Sequence, residues 1–170
     1  MCFVGLLCAV RIWQIKSCFK NILKGKYMVS IEKSITVNTN ASKLLNVVTN
    51  FNSYPDFLPE MKKVKIIKSS ARSITVTFDM NLMQQIKYTL KFDLKKKNLM
   101  PWSFVEGDSV IKDNSGFWKI EKLDKNLCDL TYHLDIDFNI WLPSSVIEML
   151  LNDHLPRMLE KFKQRAEGIL

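Results

Sequence analysis

The chain runs to 170 residues, 47% apolar and 25% charged, with a formal charge of +8 and a mean hydropathy of -0.03. That size suits one domain with a single core, and the balance excludes disordered, collagen-like and low-complexity classes. Five positive charges (Arg11, Lys16, Lys20, Lys24 and Lys26) fall in residues 1–27, which hold no acid, and the other 20 basic against 17 acidic residues give no reason to expect DNA as a partner.

Cys2, Cys8, Cys18 and Cys128 form no disulfide framework, and no C-x2-C pair accompanies the two histidines, His133 and His154, so no metal site is expected. Free thiols point to a reducing, cytoplasmic setting. MCFVGLLCAV is interrupted by Arg11, too early for a membrane span of roughly 20 residues, and it lacks the basic start of a signal peptide. On a helix, Phe3, Leu6, Leu7, Val10 and Trp13 share a side that Arg11, Lys16, Lys20 and Lys24 avoid, which reads as a basic amphipathic anchor for transient contact with the inner membrane face. A competing reading starts from Lys24-Gly25-Lys26-Tyr27-Met28, which a purine-rich, ribosome-binding-like stretch followed by ATG can encode. Met28 is then the true start in a bacterial genome. Residues 1–27 are an extension, or a targeting segment, and 28–170 the domain.

From Val29 the pattern has period two, with Val29, Ile31, Ile35 and Val37 on one face of a half-buried strand. Asn40 and Ser42 offer helix caps, and Leu44, Leu45, Val47, Val48 and Phe51 have helical spacing. YPDFLP follows (Tyr54 to Pro59), a proline-stiffened connection rich in large apolar side chains. Alternation returns through Val64 and Ile66, then Ile74 to Met80, then Ile86 to Leu94, with turns near 69–72 and 81–84. Trp102 and Phe104 precede a turn at Glu106-Gly107-Asp108; Gly116, Trp118 and Ile120 precede Asp124-Lys125-Asn126. In CDLTYHLDIDF, Cys128, Leu130, Tyr132, Leu134, Ile136 and Phe138 share one face, and His133, Asp135 and Asp137 lie on the other, expected to be solvated. Connections this short imply an antiparallel meander. Residues 143–170 read as a long helix with an apolar stripe, interrupted by Pro156, where a kink or break is expected. The class is α+β, one sheet covered on one side by the last helix.

That order, with Phe51-x-x-Tyr54-Pro55-x-Phe57-Leu58-Pro59, Trp102-x-Phe104-x-Glu106-Gly107, Gly116-x-Trp118 and Arg165-Ala166-Glu167, resembles the START-like (SRPBCC) superfamily over about residues 29–168. Within it the chain is most similar to the polyketide cyclase/dehydrase and coenzyme Q-binding group. The resemblance implies a helix-grip fold, with a curved antiparallel sheet of six or seven strands wrapped around the C-terminal helix and short helices after the first strand. It also implies a ligand cavity between sheet and helix. Tyr54, Phe57 and Leu58 then line or gate its entrance, or else plug the sheet edge. Met80, Tyr88, Trp102, Phe104, Trp118, Tyr132, Met149 and Met158 face the ligand, and Pro55, Pro59 and Pro156 stand at the hinge or gate, Pro156 as the hinge and Pro55 and Pro59 holding the aromatic connection in shape.

An empty apolar void of about 300 Å³, at about 24 cal/mol per Å³, would cost on the order of 7 kcal/mol, so such a space is expected to be collapsed, hydrated or occupied; methionines suit an occupant of variable shape. A lipid or polyprenyl quinone such as coenzyme Q fits, with no other cofactor implied. No G-x-S-x-G, Walker loop, G-x-G-x-x-G or H-E-x-x-H occurs, and His154 reads as an exposed helix residue. Binding is therefore expected rather than catalysis. A polyketide cyclase or aromatase, and a toxin-like binder of the large ribosomal subunit, are the alternatives the resemblance carries.

Overall fold

The computed structural model describes residues 27–170 other than Met83, so the readings of residues 1–26, including Cys2, Cys8 and Cys18, lie outside it. Seven strands form one sheet: β1 (Tyr27–Val37), β2 (Met61–Ser69), β3 (Ser73–Asn81), β4 (Gln85–Asp93), β5 (Leu99–Gly107), β6 (Ile111–Asp124) and β7 (Leu127–Phe138). Their order across the sheet is β1-β7-β6-β5-β4-β3-β2, with every pairing antiparallel. Between β1 and β2 lie α1 (Ala41–Thr49), a 3-10 turn (Phe51–Ser53) and α2 (Tyr54–Phe57). After β7 the chain forms α3 (Ser144–Met149), a π-helical segment (Leu150–His154) and α4 (Leu155–Glu167).

The sheet is bent by one-residue insertions. Lys62 and Ile67 in β2, Val105 in β5, and Lys112 and Leu123 in β6 are each skipped in the pairing register. Such bulges bend and twist a strand. They also explain why Ile67, Val105 and Leu123 are among the few large apolar residues left exposed: an unpaired extra residue falls out of the inward alternation.

One half of the concave face is solid. Asn40 caps α1 by accepting from the Lys43 N–H at 2.9 Å, and Leu44 and Val48 point from α1 into the core. Phe162 of α4, fully buried, meets Tyr54 and Phe57 edge-on at 5.1 and 5.2 Å and Trp118 at 4.9 Å. Edge-to-face contacts of this kind add to the area they bury. The end of α4 is clamped further, because Glu167 Oε1 accepts from both the backbone N–H and the side-chain amide of Asn38 at 2.8 and 3.0 Å. Gly168, at φ 83°, then closes the helix in a left-handed turn, with Ile169 N–H returning to the Gln164 carbonyl.

The other half is not filled in this way. Neither α3 nor the π segment contributes a fully buried residue. Pro156 stands in the first turn of α4 and has no N–H for the Asn152 carbonyl; the turn before it widens, and the Leu155 N–H bonds the Leu150 carbonyl five residues back. The expected interruption therefore takes the form of a π turn within a continuous helical run, since Met149, Leu150, His154 and Leu155 all keep helical φ and ψ. Phe162→Ala should remove the seat on which α4 depends, lowering stability by about 3–5 kcal/mol in chemical denaturation. A loss under about 1 kcal/mol would show that the aromatic seat is not what holds the helix.

Candidate functional site

Antiparallel order brings the start of β1, β2, β4 and β6 and the end of β3, β5 and β7 to one end of the sheet. Over that end, under α3 and the π segment, lies a cavity of about 430 Å³, partly open to solvent. The strands supply Val29 and Ile31, Met61, Met80, Ile86 and Tyr88, Ile111 and Asn114, and Tyr132, Leu134, Ile136 and Phe138. Opposite them stand Val146, Ile147, Leu150 and Leu151, with Leu155 and Met158 from α4. The rim is formed by Leu82 and Gln84 of the β3–β4 turn, Val110 before β6, and Ile140, Leu142 and Pro143 before α3.

Polar groups are few and localised. Glu60 and His154 face each other across the rim with His154 Nδ1 3.6 Å from Glu60 Oε1, so His154 is turned to the cavity rather than exposed as expected. At the inner boundary, Tyr88 donates its hydroxyl to Met80 Sδ at 3.3 Å, and burial pushes the Tyr88 and Tyr132 phenols well above the usual tyrosine range. Asn114, 6% exposed, accepts from the Trp102 indole N–H at 2.9 Å.

Of the residues expected to face a ligand, Leu58, Met80, Tyr88, Tyr132 and Met158 line the cavity. Tyr54, Phe57, Trp102, Phe104, Trp118 and Met149 do not. Tyr54 and Phe57 are buried against Phe162, and the Tyr54 hydroxyl donates to the Val48 carbonyl at 2.6 Å, so these two rings tie α2 to α4 instead of standing at an entrance. Trp102 stacks on Tyr132 and Trp118 meets it at a tilt, with both indoles buried in the core. Phe104 sits where Gly107 approaches it, a spot in which an added Cβ would come 3.1 Å from its ring. Met149 is on α3 but off the lining. Pro55 lies in the first turn of α2, Pro59 follows Leu58, and Pro156 begins α4, so all three stand beside segments that border the cavity. Asn114, Glu60 and the aliphatic side chains of α3 were missed. Asn114 was findable, since it is a polar residue in phase with the inward Gly116, Trp118 and Ile120.

The face of β7 expected to be solvated is more ordered than that. Asp137 is buried and paired with Lys112 at 3.1 Å, while His133 stacks on Phe117 and lies 3.0 Å from Asp135 and 3.4 Å from Glu32. Among the described residues, no group of three or more His, Cys, Asp or Glu side chains could hold a metal ion. Cys128 is a free, buried thiol hydrogen-bonded to the Thr39 carbonyl. A second depression, about 520 Å³ between α1 and the ends of β5 and β6, is a more open surface rimmed by Lys97, Lys119, Glu121 and Lys122. None of the described helices is long and apolar enough to cross a membrane.

Two curated relatives match most of the chain. The persistence and stress-resistance toxin PasT of Escherichia coli O6:H1 is 25% identical over 143 residues, 84% of this chain and 89% of that protein. The ribosome association toxin RatA of Escherichia coli K12 is 24% identical with the same coverage. Among solved structures, the Zhui aromatase/cyclase of Streptomyces sp. R1128 superposes with a TM-score of 0.74 at 18% identity, covering 83% of this chain and 94% of that one. A STAR-related lipid transfer protein from Xanthomonas axonopodis gives 0.68 at 12% identity, covering 85% and 89%. These two structures share the bent sheet and its terminal helix. The fold is that of START-like structures, and residues 37–163 match one sequence family directly, so the chain belongs to the family described as polyketide cyclase / dehydrase and lipid transport.

Proposed function

We propose that the protein is a non-catalytic carrier or chaperone of a hydrophobic molecule, of the lipid or polyprenyl-quinone class that includes coenzyme Q. The observation that carries the reading is the 430 Å³ cavity walled mostly by apolar side chains. Left vacant, that volume would cost on the order of 10 kcal/mol at about 24 cal/mol per Å³, as much as a whole domain's stability. Filled with water, it would hold about 14 molecules at about 30 Å³ each, most of them facing groups that offer no hydrogen bond. An apolar guest removes both penalties, each buried methylene contributing about 0.8 kcal/mol. Entry is through the α3 and π segment, with Pro156 as the hinge, while Pro55 and Pro59 hold the α2 connection rigid.

A second reading has its own observation. The names of the two curated relatives concern ribosome association and stress-resistance toxins, and the convex face of β2 to β4 exposes Lys63, Lys65, Lys68, Lys87 and Lys91. Exposed lysines guard a sheet edge against aggregation, but five on one face also suit an RNA phosphate backbone.

Native mass spectrometry of protein isolated from its own host is expected to show a co-purifying hydrophobic molecule, and Ile136→Trp, which fills the cavity from β7, should abolish it with Tm kept within a few degrees. Ligand-free protein that also takes up no N-phenylnaphthylamine would contradict the carrier reading. For the entry route, hydrogen exchange should run faster in residues 144–154 than in 157–167 and slow on loading; equal protection of both with and without ligand would remove the gate. For the ribosome reading, the Lys63, Lys65 and Lys68 to Glu triple variant should lose co-sedimentation with ribosomes at physiological salt, and wild-type protein that never co-sediments would end that reading.

A further inference from the structure

We infer that Asn114 and Tyr132 set the ligand specificity of the cavity, selecting an uncharged molecule that carries a carbonyl or similar acceptor oxygen. The inference rests on the carrier reading and narrows its ligand class.

Asn114 is a buried primary amide in an aliphatic wall. Its position follows from the sheet: β5 and β6 pair only from Leu99↔Lys119 to Trp102↔Gly116, then separate, and Asn114 sits just past the last pair. Gly116 makes the approach possible, because a Cβ there would run into the His133 carbonyl and come 2.6 Å from Trp102 Cζ2. The indole N–H can only donate, so the atom it meets at 2.9 Å must be the amide oxygen. The Asn114 NH2 is thereby turned away from Trp102. Among the described residues it has no hydrogen-bond partner, and it is not sealed off, so it addresses the cavity. The Tyr132 hydroxyl is in the same condition: it lines the cavity, is not sealed and has no hydrogen-bond partner among the described residues, whereas the Tyr88 hydroxyl is engaged by Met80. Its ring is held by contacts with Trp102 at 5.3 Å and Trp118 at 4.5 Å.

Two unengaged donors in a dry wall define what should arrive there. A pure hydrocarbon would leave both donors unpaired and bind about 10- to 100-fold more weakly than a ligand that satisfies one of them. A carboxylate would satisfy them but bury its charge, and among the described residues no lysine or arginine lines the cavity; the one other ionisable group besides His154 and the phenols is the acid Glu60. A neutral ketone, ester or quinone-type carbonyl on an apolar body meets both conditions.

The test measures displacement of N-phenylnaphthylamine by three chains of similar length: methyl undecyl ketone, tridecane and laurate. Wild-type protein should bind the ketone at least 10-fold more tightly than either of the others. Asn114→Leu deletes the donor together with the acceptor for Trp102, and should cut the ketone preference over tridecane to under about 3-fold. Tyr132→Phe, which alters no shape, should lower ketone affinity alone and keeps the test sound if the first variant misfolds. Equal binding of ketone and tridecane, tighter binding of laurate, or a ketone preference that survives both variants would overturn the inference and leave the carrier reading standing. Failure of all three chains to displace the dye, or of the dye to bind, would overturn the carrier reading and this inference with it.

Discussion

The seat of Phe162 among Tyr54, Phe57 and Trp118 is the constraint on which the rest of the molecule depends. Flat rings that meet edge to face leave no gaps, so the half of the concave sheet beneath α4 becomes solid. With Leu159 and Ala166 buried in the core and Glu167 holding Asn38 at the far end, α4 is fixed from Leu159 onward. The preceding α3 and π turn must project from that fixed point over the other end of the sheet. Nothing in their sequence offers a ring large enough to reach the strands: Val146, Ile147, Leu150 and Leu151 face Leu134, Ile136 and Ile86 across open space. A hollow follows from pinning one half of a helix with aromatics and giving the other half aliphatic side chains.

This division has a dynamic side. Local opening is cheapest where few apolar groups are fully buried and backbone bonding is irregular, and both descriptions apply to residues 144–154. Pro156 removes the hydrogen bond that would have made the two helices one rigid rod. Glu60 and His154 meet across this same rim, joining the α2–β2 connection to the π turn. Under the carrier reading proposed above, loading and release would need movement of this one short segment only, with the aromatic half staying in place.

Much of this architecture was legible in the sequence. Period-two runs located all the strands, short turns implied antiparallel pairing, and the Phe51 to Pro59 signature together with the tryptophans of β5 and β6 pointed to the family. The location of the cavity was not legible, for a physical reason. Alternation tells which side chains face inward, whereas the part of that face a helix covers tightly depends on where the helix is anchored and where it is interrupted. Tyr54, Phe57, Trp102 and Trp118, chosen for their size, make the solid half because rings pack best against rings. Val29, Ile31 and Leu134, which the alternation places on inward faces without marking them as ligand residues, face the hollow. The bulges at Ile67, Val105 and Leu123 were equally invisible, since one extra residue in a strand has no signature of its own in the pattern.

The most direct trial of the account is a crystal structure of the protein under xenon pressure. Xenon enters apolar cavities that water does not fill. The account predicts that xenon, or the tail of a bound molecule, occupies the space bounded by Leu134, Ile136, Ile86 and Leu150, with α3 held away from the sheet. Side chains of α3 closed down onto β7 and β4, with no site for xenon between them, would contradict it.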